Sequence, residues 1–451
     1  MKVKIGLEIH LELKTKSKMF CACKNDYDYE DEPNVNICPI CLGYPGVLPT
    51  VNKKAIEYAI LLSKALNCKI SEKIQFYRKN YFYPDLPKGY QITQYKVGSI
   101  GYDGYLYLNL DGGKKVGIDR ISLEEDTART IQTEKDEILL DFNRSGIPLI
   151  EIVTKPDMED PKECVKFLEN LRLTIQYLNI SDANMEKGQM RVDVNVSVED
   201  NERVEIKNVN SIREVENALY YEINYQIEQI KAGKKIKRAT KMWDDYLKET
   251  REMRRKETED DYRYFPEPDL PHIQIKDIDL VFKTPFKVYE EIVKLGVQKD
   301  YAEIIVRDLR LCNYFENFLK HSGDAIIGSN FIVNILKSFD KLPEPKELAK
   351  LSILVKENKI PNHIARQKLN EMKENLNVEN ILKNMDILSD KEVEEIARSL
   401  IEKFPDKFFE FKSGKTGLIG FFIGEAKKIN PKIDPKMFRE VFEKLSESFK
   451  L

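Results

Sequence analysis

Several features that would fix a function class at once are missing. No apolar run approaches the about 20 residues needed to cross a bilayer. The opening MKVKIGLEIHLELK has neither an apolar leader core nor a small-residue cleavage site. A cytoplasmic protein with no membrane partner is therefore expected. Charge is nearly balanced, 73 Lys/Arg against 76 Asp/Glu for a net of −3, which excludes a polycation that grips nucleic acid indiscriminately. Histidine is scarce, at four residues. His272, His321 and His363 stand far apart without a Cys or Asp pattern, so surface or core duty is the expectation for them. There is no G-x-S-x-G elbow and no identifiable nucleophilic Ser or Cys. Ser413-Gly414-Lys415-Thr416 looks like the end of a phosphate loop, but that motif needs glycine where Phe409 stands. Gly414, Gly417, Gly420 and Gly424 are expected to permit close packing in a helical tail. Internal repeats, low-complexity tracts and heptad arrays are also missing.

What remains is a 451-residue chain, 42% hydrophobic, long enough for two or three domains with their own cores. Val3–Leu13 alternates strictly, with Ile5, Leu7, Ile9, Leu11 and Leu13 on one face and Glu8, His10 and Glu12 on the other. Asn52 and Asp160, the latter followed by proline, announce helices, and the Ser211/Glu214 pair caps a third running to about Gly233. Strands are predicted at Gly104–Leu110, Val116–Leu123, Ile147–Val153 and Val204–Asn208. A second clean alternation, Met190–Val198, sets Arg191, Asp193, Asn195 and Ser197 against an apolar stripe. Residues 234–262 are dense in charge, and PEPDLP imposes extended backbone. Beyond about Thr284 the pattern is helical, divided at Pro343 and Pro345. The class is α+β, with domains expected at 1–290, 291–342 and 343–451. The last of these has a basic window from Phe411 to Glu440, and residues 341–451 carry 22 Lys/Arg against 19 Asp/Glu, a bias that suits an RNA partner.

Two strands with acids opposite apolar stripes, and the turn Glu124-Glu125-Asp126, suit a hard cation such as Mg²⁺ and through it the phosphates of a nucleotide. A solvated sheet face is the bland alternative for either strand alone. The phase of the alternation changes across Arg120–Glu125, so Glu124 and Glu125 both stay candidates. RKNYFYPDLPKGY, from Arg78 to Tyr90, sets cations among tyrosines, a mixture suited to phosphates and bases or to a structural loop. Seven cysteines are present. Cys21, Cys23, Cys38 and Cys41, as C-x-C and C-x-x-C, have the spacing of a closed four-thiolate zinc site, structural rather than catalytic. Four unligated thiols in an acidic loop are the alternative. Cys68, Cys164 and Cys312 stand alone.

The phrases IGLEIHLELKTKSKMF, YPGVLPTVNKKA, RKNYFYPDLPKGYQITQY, LEEDTAR, NRSGIPLIEIVTKPD, NMEKGQMRVDVNVSV, VEIKNVNS and DYRYFPEPDLP, with SGKTGLIGFFIGEAKKINP in the tail, resemble the B subunits of the tRNA-dependent amidotransferases over nearly the whole chain. The resemblance implies a glutamine-synthetase-like catalytic cradle at 1–290 with a zinc knuckle at 21–41, then a helical domain and a helical tRNA-binding tail. It implies a ligase in which ATP phosphorylates the side-chain carboxylate of Glu-tRNA(Gln) or Asp-tRNA(Asn). Ammonia from a glutaminase A subunit then forms the amide, and a small C subunit holds the heterotrimer together. Carried over by position, it makes Glu8, His10, Glu124, Glu125, Lys79 and Asp193 catalytic, with Glu8, His10 and Glu125 as Mg²⁺ ligands. Lys79, Lys88, Tyr81, Tyr83, Arg191, Asn195 and Lys207 would hold nucleotide, and Tyr90, Glu186 and Glu205 follow as lesser candidates. Tyr77 stands where the family usually has an acid, and Lys187 where a second glutamate is common. The alternatives are the E subunit of the archaeal enzyme, whose large insertion this length leaves no room for, and a non-catalytic tRNA adaptor.

Overall fold

The computed structural model describes residues 1–451 except 96–97, 134, 136, 254–258, 276–279, 384–389, 431–432 and 449–451. Its contacts divide the chain into Met1–Ile292 and Val293–Leu451.

The first unit holds sixteen strands among its described residues. They are β1 (Val3–Glu12), β2 (Lys69–Ile70), β3 (Lys73–Ile74), β4 (Tyr77–Asn80), β5 (Tyr90–Thr93), β6 (Gly101–Asn109), β7 (Gly112–Glu125), β8 (Arg129–Gln132), β9 (Ile138–Asp141), β10 (Pro148–Thr154), β11 (Met190–Val198), β12 (Val204–Val209), β13 (Ala239–Asp244), β14 (Glu249–Glu252), β15 (Phe265–Pro266) and β16 (Ile273–Gln274). Twelve of them form one sheet with the path β14-β13-β12-β11-β1-β10-β7-β5-β4-β15, β6 pairing with β7 and β2 with β6. Only β12 and β13 run parallel. β1 lies at the centre because its alternation leaves one face wholly apolar. Ile5, Leu7, Ile9 and Leu11 join Val192, Val194, Val196, Ile150 and Ile152 in a single core.

That face is covered by α1 (Lys53–Ala65), α2 (Pro161–Leu178) and α3 (Ile212–Lys231). Each begins at a side-chain cap, as the sequence signals require. Asn52 accepts from Lys54 and Ala55, Asp160 from Lys162 at 2.7 Å, and Ser211 from Glu214 at 3.1 Å. With the helices on one side, the polar side chains of β1, β11, β10 and β7 share the opposite face. The charge-dense stretch 234–262, for which no strand is expected, contains β13 and β14. Its inward pattern is disguised by a buried ion pair, Lys241 with Glu222 of α3 at 2.9 Å, beside the buried Trp243.

The second unit is helical. After α4 (Pro285–Lys294), which spans the division, come α5 (Lys299–Arg307), α6 (Leu309–Lys320), α7 (Ala325–Asn334), α8 (Pro345–Lys356), α9 (Asn362–Met372), α10 (Val378–Lys383), α11 (Asp390–Lys403), α12 (Pro405–Lys412), α13 (Ile419–Ile429) and α14 (Pro435–Ser448). Helix α8 follows Pro343 and packs back on α6 and α7, so packing continues across the prolines. Residues from Val393 to Leu445 enclose their own aromatic core around Phe422, Phe438 and Phe442. The tail glycines do not serve close packing as expected. A Cβ at Gly414, Gly417, Gly420 or Gly424 would meet nothing within 4 Å, and Gly414 instead takes φ +111 just beyond α12.

Candidate active site and thiolate knuckle

On the polar face, pairing register brings together acids that are far apart in sequence. In β1 and β10, His10 lies opposite Glu151, and in β1 and β11, Glu8 lies opposite Asp193. Ligand atoms of Glu8, His10 and Glu151 all fall within 4.8 Å of one another. His10 Nε2 is 3.3 Å from Glu124 Oε1, and the other oxygen of Glu124 accepts from Thr93 Oγ1 at 3.1 Å.

The electrostatics are those of crowded acids rimmed by cations. Burial, with Glu8 and Glu124 nearby, pushes Glu151 up to about 7 against the pull of His10 and Arg120. Burial also opposes ionisation of Glu8, yet His10, Lys207, Lys79 and Arg120 together hold it below the usual range. One imidazole and several carboxylate oxygens form a donor set that fits Mg²⁺.

Cations rim the cluster. Arg120 Nε lies 3.6 Å from Glu151. Lys207 bridges Asp193 and, at 2.9 Å, Glu205. Lys79 stands 4.9 Å from the Tyr262 ring and 5.9 Å from Tyr81. Burial works against its charge, but Tyr264, Glu124, Tyr81 and Glu151 outweigh that and raise its pKa.

A second group adjoins on the same face. Glu12, 1% exposed, accepts from the Tyr29 hydroxyl at 2.6 Å. Burial and the neighbouring Asp126 push it up to about 8, although Arg191, Tyr29 and Arg144 pull the other way. Asp126 is held low despite burial by Arg144 and Arg191, the latter donating at 2.8 Å.

Apart from both, the four sulfurs of Cys21, Cys23, Cys38 and Cys41 also lie within 4.8 Å of one another. The Cys41 thiol is drawn down to about 5 by a hydrogen bond from Cys21, and further by Lys18, against its burial. Four converging sulfurs, one of them drawn toward its ionised form, fit a tetrahedral zinc ion.

Comparison with known proteins shows the family. Family models for the GatB/GatE catalytic domain and the GatB domain match residues 3–280 and 314–445. The B subunit of the aspartyl/glutamyl-tRNA(Asn/Gln) amidotransferase of Thermosipho melanesiensis is 42% identical over 92% of this chain and 93% of its own. The proteins of the same name from Thermodesulfovibrio yellowstonii and Caldicellulosiruptor bescii are 40% and 41% identical, over 92% and 98% of this chain and 93% and 99% of theirs. The chain belongs to the family of these B subunits.

Within this member of the family, the structure corrects one expected ligand set. Glu125 does not join Glu8 and His10. Its carboxylate turns to the other side of β7, where it pairs with Lys88 and accepts from the Ile92 amide at 2.9 Å. Glu124 and Glu151 take the place by His10. The reason is a register shift: Val153 pairs with Arg120 but Thr154 with Ile118, leaving Asp119 as an extra residue. That bulge is the phase change seen in the sequence. Lys79, Tyr81, Asp193, Arg191 and Lys207 lie on the site face. Asn195 is there too, and its buried Oδ1 has no partner among the described residues. Tyr83 is half exposed beside Phe82 at the rim.

Sequence reasoning missed five contributors: Glu151, Arg120, Arg144, Tyr262 and Tyr264. Glu151 had a signal, being the one charged residue in an apolar strand. Tyr264 had none, because its stacking on Tyr95 at 4.1 Å depends on a chain return that brings β15 beside β4.

Proposed function

We propose that the chain is the B subunit of an ATP- and Mg²⁺-dependent aminoacyl-tRNA amidotransferase, a ligase acting on Glu-tRNA(Gln), Asp-tRNA(Asn) or both. The observation that carries this reading is the Glu8–His10–Glu124–Glu151 cluster, rimmed by Lys79, Arg120 and Lys207, in a member of this family. When bound there, Mg²⁺ supplies neutralisation of nucleotide phosphates during phosphoryl transfer. Glu8, His10, Glu124 and Glu151 hold it. Lys79, Arg120 and Lys207 offset charge on the transferring phosphoryl group, and the tyrosines around Lys79 exclude water and offer faces to a base.

The side-chain carboxylate of the tRNA-bound amino acid attacks the γ-phosphorus and ADP leaves. Ammonia then attacks the acyl phosphate, loses a proton and displaces phosphate, leaving the amide. That proton passes to a basic group or a water at the site other than the carboxylates that hold the metal. The chain carries no glutaminase signature, so ammonia comes from an A subunit, and a C subunit makes up the heterotrimer. The four cysteines hold a structural zinc. No described helix is long and apolar enough to cross a membrane, and a tRNA substrate sets the reaction in the cytoplasm. The convergent carboxylates argue against a mere tRNA adaptor, which has no use for such acids near anionic RNA.

The deciding experiment is reconstitution with A and C subunits, ATP, Mg²⁺ and glutamine, offering each mischarged tRNA separately. Amide formation on at least one is expected, and none on either overturns the reading. The helical tail is proposed to hold tRNA. Because α8 belongs with α6 and α7, the cut that tests this removes residues 390–451. Weaker tRNA binding with glutamine hydrolysis by the complex intact is expected, and unchanged tRNA affinity removes that role.

A further inference from the structure

Lys18 has no exposed surface. Its ammonium donates to the Phe142 carbonyl at 3.0 Å and to Cys41 Sγ at 3.7 Å. An ammonium wholly removed from water is costly unless an anion meets it, and the anion within its reach is a thiolate of the knuckle. Four thiolates around a divalent ion carry two net negative charges, so one N–H···S contact from a buried cation offsets part of the excess.

The Phe142 carbonyl belongs to a segment that joins the knuckle to the second acidic group. On the knuckle side, the Asn36 amide donates to Asn143 at 2.8 Å, and Asn143 to the Glu32 carbonyl at 2.7 Å. Ser145 Oγ donates to the Cys41 carbonyl at 3.1 Å, and the Met19 amide to the Gly146 carbonyl at 2.7 Å. At Gly146, whose φ is +86, an added Cβ would meet Lys18 at 3.5 Å and Cys41 at 3.7 Å. On the site side, the Gly146 amide donates to the Asp126 carbonyl at 2.9 Å and the Asp126 amide to the Ile147 carbonyl at 2.9 Å. Between these anchors stands Arg144. Its guanidinium donates to the carbonyls of Thr127 and Ala128, each at 3.0 Å, and lies 3.6 Å from the Asp126 carboxylate.

We infer that Lys18 is a positioning residue coupling the cysteine knuckle to the active site. It neutralises the thiolate centre and, through Phe142, fixes the 142–147 segment that sets Arg144 against Asp126. The knuckle thus braces one wall of the site as well as its own loop. The inference rests on the zinc reading above for the identity of the ion, and on the wall's geometry for the rest.

Hydrogen exchange of the full-length chain tests it. The samples are zinc-loaded wild type, wild type stripped by a chelator, and Lys18→Met, which keeps the stem and removes the charge. The amides of Ser145, Gly146 and Ile147 are expected to exchange faster in the stripped and substituted proteins, because the segment opens more readily once its anchor is lost. Those of Val192, Val194 and Val196 in β11 should not change. Zinc release to a chromophoric chelator should quicken by about 10- to 100-fold in Lys18→Met, and the thiolate-to-metal bands of the cobalt-substituted protein should shift. In the assembled enzyme, kcat for amidation should fall while KM for ATP holds. Unchanged exchange at 145–147 in both altered proteins overturns the inference. So does faster exchange throughout Lys18→Met with none at 145–147 on stripping, which makes Lys18 a folding residue only. Failure of wild type to amidate any tRNA strikes the proposed function, and the exchange result still decides this one.

Discussion

Two clusters among the described residues are able to hold a metal ion, and they are built in opposite ways. The thiolate knuckle draws its four ligands from one loop, Cys21 to Cys41, so chain proximity brings them together. The carboxylate cluster draws Glu8 and His10 from β1, Glu124 from β7 and Glu151 from β10, so only the register of three paired strands assembles it. In the first, ligand spacing is written in sequence. In the second, a single inserted residue decides which acid faces His10, because shifting a strand by one turns every side chain to the other face. The two clusters should therefore respond differently to substitution.

The largest effect is expected where register made the choice. Glu124→Gln should lower kcat for ATP-dependent amidation by about 10²- to 10³-fold, the scale of losing one charge-stabilising group in a site. It should also raise the Mg²⁺ concentration needed for half-maximal rate. Glu125→Gln should leave that Mg²⁺ requirement as it is, since Glu125 faces Lys88. A Mg²⁺ titration of the rate in both variants checks this. A shifted requirement in Glu125→Gln with none in Glu124→Gln would reverse the assignment of the two glutamates.

A smaller effect on chemistry is expected at the knuckle, where the metal supports rather than reacts. Cys38→Ser should reduce bound zinc from about one equivalent to a small fraction and lower the melting temperature. Its amidation rate should fall by no more than about 10- to 100-fold, the range for disturbing a supporting shell. Metal analysis, thermal unfolding and the rate are the three measurements. A loss as deep as that of Glu124→Gln would erase the distinction between a bracing and a reacting centre.

The same contrast explains how much was legible beforehand. Features encoded within a few residues could be read directly: the strand at Val3–Leu13, the caps at Asn52, Asp160 and Ser211, the cysteine spacing and the helical class of the tail. Features requiring knowledge of a neighbour were hidden. Lys241 looks solvated until Glu222 of α3 is seen beside it, so β13 was not expected at all. Glu124 and Glu125 could not be told apart without knowing that Asp119 bulges. Arg144 and Tyr264 reach the site only because chain returns bring them there, and no local pattern marks such an approach. Family resemblance supplied Glu8, His10, Lys79 and the Glu124/Glu125 pair as candidates, but it marked neither Arg144 nor Tyr264, and position alone did not reveal which way the Glu125 side chain turns.

The smallest effect concerns the proton on the carboxylate cluster. In the chain without its cation, burial and the charges of Glu8 and Glu124 raise Glu151 from 4.5 to about 7. The folded protein thus holds this proton to higher pH than the unfolded chain does. Its stabilising contribution is complete below the unfolded value and is lost as pH rises through about 7. A divalent ion acts in the opposite direction, because only the ionised carboxylate is a good ligand and binding must expel the proton. Mg²⁺ affinity should therefore climb about tenfold per pH unit below 7, if one proton is released, and level off above it. Calorimetric titration of Mg²⁺ at pH 6, 7 and 8 reads the slope directly. Cys38→Ser should show the same slope, because no cysteine belongs to this cluster. A profile flat across pH 7 in both proteins would mean that Glu151 gives up its proton without help from the metal and that the acids are less crowded than their distances imply.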